Sequence, residues 1–366
     1  MSLQDEINAK ASKIFRDSYQ MSIGELINLY IDNEMDIHPE FQRVFRWSDY
    51  QKTKLIESIM LNIPIPSIFV NQNDDGVWDI IDGVQRLSTI FQFVGKFKDE
   101  DGKLLPPLVL QKTDYLPSLA GVQWEGAIPD LSFSRDQQLS FKRARIDVVI
   151  IKKESDVNTK YELFQRLNTG GSLLSDQEVR NCLMILTNKS FYEFVVSLEG
   201  VAAFRDSIPI SDRKTDEQLR MELVIRLLVA QYMDWDNIKN YEDFSDLLDK
   251  ETLSLCAMPL NNADISERFT GTFNLLFSVF GDCVFKRFTE GKHSGPVMTS
   301  AFQAIAIGVY ANLTNIVASS NARKWLKNRV EQFYGEDVFA RNTTPGVKAI
   351  PRFKELSLYG IDYFKP

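Results

Sequence analysis

The stretch Trp78–Phe97, WDIIDGVQRLSTIFQFVGKF, constrains the fold more than any other part of the chain. Val77 to Ile81 alternates like a strand, Asp82-Gly83 interrupts it, and Leu87, Ile90, Phe91 and Val94 then recur at helical spacing. The pattern predicts a strand, a tight glycine turn and a helix start.

Such a turn has a chemical use. Backbone N–H groups in a helix's first turn lack intrahelical acceptors and sit at the positive end of its dipole, so they can hold an anion such as phosphate. Gly83 removes the Cβ that would obstruct close approach. Arg86 offers a charged planar fork for phosphate oxygens, Asp82 a carboxylate for a metal ion or a water, and Gln85 an amide for water or ligand. The alternative makes Gly83 an ordinary turn residue, Asp82 a cap and Arg86 a surface charge. Five residues alone do not separate the two readings.

Blocks on either side bear on the choice. Upstream stand His38-Pro-Glu-Phe-Gln-Arg-Val-Phe-Arg-Trp47, Leu55-Ile-Glu-Ser-Ile59 and Ile63-Pro-Ile-Pro-Ser-Ile-Phe69. Downstream are Phe164-Gln-Arg-Leu-Asn-Thr-Gly-Gly171, Leu174 and Glu178. In this order they resemble, from about Ser22 to Leu183, the N-terminal domain family of GmrSD-type restriction endonucleases, whose signature is D-G-Q-Q-R. Asp82-Gly83-Val84-Gln85-Arg86 matches all of it but Val84.

The resemblance implies a ParB/sulfiredoxin-like nucleotide-binding fold, with a nucleoside triphosphate as ligand and Mg as its metal. It implies Asp82 and Gln85 as catalytic residues, Asp82 also as metal ligand, and Gln42, Arg43, Gly83, Arg86, Arg166 and Asn168 around the nucleotide. Val84 departs from the signature, and an apolar side chain cannot position water as glutamine does. Hydrolysis is therefore less expected than binding.

Family members are often joined or paired with an HNH-type nuclease, which needs a histidine base at a metal. The two histidines here, His38 and His293, read as a loop and a turn residue, so a separate nuclease partner is expected. Three functions stay open. They are a nucleotide-binding or nucleotide-hydrolysing module licensing a separate effector in prokaryotic DNA restriction or phage defence, a metal-dependent nuclease using Asp82, and a non-catalytic helical scaffold with a degenerate pocket.

Short alternating segments around Val70, Ile80 and Val149 give way after Ser155 to helical periodicity. We therefore expect an α+β fold, with a ParB/sulfiredoxin-like N-terminal domain over residues 20–155 and an all-helical domain over 156–366. Capping-box patterns at Ser22–Glu25, Ser48–Gln51 and Ser175–Glu178 predict helix starts, and Ser155 or Asp156 predicts another. Ser67 to Val70 and Val77 to Ile81 predict a hairpin. Residues 1–20 read as an arm or loosely docked helix, and 98–138 as an irregular excursion able to cover the ligand site. Helices are expected over 217–233, 241–249, 265–286, 297–317 and 322–334, with one short helix in the tail.

The net charge of −8 divides into 16 − 22 = −6 for residues 1–150 and 26 − 28 = −2 for the remainder. Neither half is a basic arm, so DNA contact is expected to be weak or indirect. Arg135, Lys142, Arg143 and Arg145 form the best local basic cluster, or simply a solvated strand end. Gln303, Asn312 and Asn315 interrupt the most apolar stretch, and no leader pattern opens the chain, so a cytoplasmic protein with no membrane span is expected. Cys182, Cys256 and Cys283 read as reduced core thiols.

Overall fold

A computed structural model describes residues 3, 5, 16–37, 47–99, 102–152, 175–211, 214 and 218–366. Two compact units divide the chain between Leu173 and Leu174. The domain boundary expected at residue 155 and the helix expected from Ser155 fall in 153–174, outside the described residues.

The first unit runs β1 (Arg16–Ser22), α1 (Ile23–Ile31), β2 (Met35–Asp36), α2 (Asp49–Met60), β3 (Ile68–Gln72), β4 (Trp78–Asp82), α3 (Val84–Phe93), α4 (Arg135–Arg143) and β5 (Arg145–Ile151). Its strands form one mixed sheet in the order β1-β5-β3-β4-β2. The predicted hairpin is the antiparallel β3–β4 pair, while β3 runs parallel to β5 and β2 parallel to β4. Ile68, Val70, Ile80, Val148 and Ile150 turn one sheet face to Leu87, Ile90 and Phe91 of α3 and Ile56 of α2. Alternation along each strand produces that apolar face.

Helix starts follow the capping chemistry. Ser48 closes a full capping box with Gln51, and the Ser22 hydroxyl accepts the Glu25 N–H at 3.1 Å. Ser134 and Gln137 form another box, which starts α4 inside the stretch expected to be irregular. That helix buries only Phe141, so it leaves almost no apolar periodicity in the sequence. The expected N-terminal arm is likewise corrected: Arg16–Ser22 is an edge strand antiparallel to β5, and only Met21 of its seven residues is buried. The described part of the 98–138 excursion packs on the far end of α3 through two aromatics. Its Trp124 and Phe133 pack on Phe93, the last residue of α3, a helix length from Gly83.

The second unit contains α5 (Asp176–Glu199), α6 (Ala202–Ser207), α7 (Leu219–Tyr232), α8 (Phe244–Ala257), α9 (Asn262–Phe280), β6 (Arg287–Thr289), β7 (Lys292–Ser294), α10 (Thr299–Ala318), α11 (Ala322–Phe333), α12 (Asp337–Asn342) and α13 (Ala349–Tyr363). The Ser175–Glu178 capping box starts α5 as the sequence predicts. One turn on, Arg180 is buried and donates to Asp249 at 2.7 Å, Gln177 at 2.8 Å and Ser245 at 3.1 Å. Desolvating a guanidinium is tolerable only with such pairing.

Three expectations for this unit are corrected. The 265–286 helix ends at Phe280, where Gly281 takes φ +58°. The antiparallel β6–β7 hairpin follows, and His293 is a strand residue rather than a turn residue, its Nδ1 2.9 Å from the Lys286 carbonyl oxygen. The tail helix α13 is long, and it crosses α10 where Gly308 meets Gly360 so closely that a Cβ on either would collide with backbone. By length and composition α10 is apolar enough to cross a membrane, and most of it is buried inside the unit. Cys182 and Cys256 are buried, Cys283 is partly exposed, and all three are free thiols.

Candidate functional site

The site is built where β4 hands the chain to α3. Phe69 faces Asp82 and Val70 faces Ile80, so Ile81 forms a bulge immediately before Asp82. A bulge at a strand end re-aims the next side chain, here onto the helix that follows. Gly83 then takes a left-handed conformation, φ +107° and ψ 7°, and its carbonyl accepts the Leu87 N–H at 2.9 Å. A Cβ here would lie 3.1 Å from Ile68 Cδ1 and 3.4 Å from Arg86 Nη2. Both the backbone angle and the space therefore call for glycine.

Having no side chain, Gly83 supplies no cap to the N–H groups of α3's first turn. Serines perform that service at the starts of α2, α4 and α5. Beside this turn Arg86 Nη2 donates to Asp82 Oδ2 at 2.6 Å. The Arg86 side chain is 11 % exposed and that of Asp82 47 %, so the pair stands at the rim with the carboxylate outward. The contact uses one guanidinium nitrogen and one carboxylate oxygen.

Gln85 is the unusual member. It is only 8 % exposed, and among the described residues neither its amide oxygen nor its amide nitrogen has a hydrogen-bond partner. Ser88, one turn further along the same helix face, is 1 % exposed with its hydroxyl also unpartnered. A buried polar group without a partner costs about 1–3 kcal/mol, so two in succession call for an explanation. Val84, by contrast, is 2 % exposed and belongs to the apolar core.

The fold thus brings together Asp82, Gly83, Gln85 and Arg86. Gln42, Arg43, Arg166 and Asn168 lie outside the described residues, as does His38. Sequence reasoning passed over Ser88, whose one signal is a small polar residue three positions after Gln85, on the same helix face. Among the described residues no group of three or more His, Cys, Asp or Glu side chains converges to hold a metal ion. A metal at Asp82 would draw its remaining ligands from water and from the bound molecule, as Mg²⁺ commonly does with phosphates.

Residues 23–185 match the domain family described as GmrSD restriction endonuclease, N-terminal domain. This part of the chain belongs to that family. The match extends past Leu173 into α5, so the GmrSD-type region includes Arg180 as well as the Asp82–Arg86 turn. No curated protein and no solved structure gives a significant match.

Proposed function

We propose that the GmrSD-type region is a nucleotide-binding module with a ParB/sulfiredoxin-like fold, working in the cytoplasm with a separate nuclease in a prokaryotic restriction or phage-defence system. The observation that carries this reading is the buried Gln85 amide, unpartnered at both polar atoms beside an uncapped glycine turn and Arg86. A triphosphate fits that set. Its oxygens suit the first-turn N–H groups and the remaining Arg86 donors, and its polar atoms or a water held with it satisfy Gln85 and Ser88. Asp82 is the residue to hold Mg²⁺ against the phosphates. Nuclease chemistry and DNA contact belong mainly to the partner.

Binding without rapid hydrolysis is the form we favour. Val84 is committed to the core, so the signature's missing glutamine has no substitute there to orient an attacking water. Thermal-shift measurements with each nucleoside triphosphate, with and without Mg²⁺, test the proposal, because a ligand at a hundred times its Kd adds about 2.7 kcal/mol. Gln85→Met sharpens the test. Removing an unpartnered buried amide should leave the ligand-free protein as stable as wild type or more so, while the nucleotide-induced shift is lost. No shift with any nucleotide, or a full shift in Gln85→Met, would refute the assignment.

A further inference from the structure

We propose that the outer face of α11 is a docking surface for the phosphate backbone of duplex nucleic acid. This site lies in the second unit and does not depend on the nucleotide reading. α11 packs on α9 and α10 with Leu326, Val330 and Phe333 fully buried, which fixes the helix's rotation. Arg323, Lys324, Lys327, Asn328 and Gln332 are exposed. Residues 323 and 327 stand one turn apart, as do 324, 328 and 332, so cations and amides form one continuous face.

The arrangement works against the helix that carries it. Arg323 and Lys324 occupy the first turn, where the dipole's positive end disfavours cations, and Lys327 repels both from the next turn. Among the described residues none of the three has an ion pair, whereas Lys250, Lys286 and Lys365 of the same unit each pair with an aspartate. Scarcity of acids is not the cause, since the chain has 50 acidic residues against 42 basic ones. Uncompensated local conflicts of this kind mark places kept for a partner, and the partner here must be anionic.

Its chemistry can be narrowed. Arginine, lysine, asparagine and glutamine are all among the side chains that contact phosphodiester oxygens. From residue 323 to 332 the face runs about 13.5 Å, the axial rise of roughly four nucleotides of one strand. Insertion into a membrane interface does not fit, because the apolar face of α11 is buried in the unit, and three cations without insertion give only about 1 kcal/mol each at an anionic lipid surface. The other basic cluster is the natural comparison. Lys142 and Arg143 end α4, where the dipole favours cations and supplies a structural reason for them.

The test is fluorescence anisotropy of a short labelled DNA duplex of random sequence with the full chain, over a range of salt concentrations. Compared are wild type, Arg323→Gln/Lys324→Gln/Lys327→Gln and Lys142→Gln/Arg143→Gln/Arg145→Gln. The α11 variant should lose about two to three from the slope of log affinity against log salt, and on the order of a hundredfold in affinity at about 0.1 M salt. Its melting temperature should equal or exceed that of wild type, because repulsion is removed, and any nucleotide-induced shift should be unchanged. The α4–β5 variant should keep the wild-type slope. No duplex binding by wild type, an unchanged slope in the α11 variant, an equal loss in the α4–β5 variant, or a lower melting temperature from the α11 substitutions would each overturn the proposal.

Discussion

At Gly83 a single hydrogen atom in place of a methyl decides whether the turn can exist. With φ at +107° an L side chain is strained by about 1–2 kcal/mol, and its Cβ would also press on Ile68 and on the Arg86 guanidinium. Gly83→Ala should therefore lower unfolding free energy by about that amount or more and abolish nucleotide binding; denaturant unfolding and calorimetry would measure the two losses. Ile68→Val in the same protein removes the nearest atom, Cδ1, and should restore part of the stability while the backbone strain persists. Gly83→Ala at wild-type stability would show that the turn readily takes another conformation. The five-residue motif was legible because its meaning is local: a strand end, a left-handed glycine and a helix start all follow from sequence spacing. What the spacing does not carry is burial. Nothing in the sequence distinguishes a solvated Gln85 from one enclosed with both amide atoms unpartnered, or separates Ser88 from any other helical serine.

At the scale of elements, the legible features are those that declare their own ends. Ser48–Gln51 and Ser175–Glu178 close capping boxes where predicted, because the reciprocal bonds need only the right residues three apart. Edge strand β1 and polar helix α4 were missed, since each buries little and is held by neighbours distant in sequence, and hairpin β6–β7 was missed because its strands are three residues each and bury no side chain fully. A long-range polar contact shows the same limit at α2. Glu57, 1 % exposed, accepts from Lys54 Nζ at 2.6 Å, from the Leu116 N–H at 3.2 Å and from the Thr113 hydroxyl. Burial pushes its carboxyl up, but the Lys54 ammonium and the Thr113 hydroxyl outweigh it and hold the group below its ordinary value. A carboxyl depressed in the fold stabilises above its unfolded-state pKa of about 4.3, and that contribution fades as pH falls through the lower folded value. Glu57→Gln should therefore melt below wild type at about pH 7, with the gap narrowing in acid below about pH 4. Thermal melts across that range decide it, and a gap of constant size would remove the charge from the explanation.

For the molecule as a whole, the two units and the family region do not coincide. The GmrSD-type match ends within α5, whose first turns are buried in the second unit through Arg180 and its partners Asp249 and Gln177. A sequence-based boundary cannot see this, because the change from alternating to helical periodicity precedes the change of core. Charge has the same property. The chain is acidic in total, yet α11 alone carries Arg323, Lys324, Lys327 and Arg329 against Glu331. If the Asp82–Arg86 turn binds a nucleotide, isothermal titration calorimetry of Arg86→Ala against wild type reads the loss of its charged anchor. Charge-assisted hydrogen bonds contribute about 1.5–3 kcal/mol each, so affinity for the preferred triphosphate should fall roughly ten- to a hundredfold, with circular dichroism and melting showing the fold retained. A well-folded Arg86→Ala that binds the triphosphate as tightly as wild type would contradict this assignment.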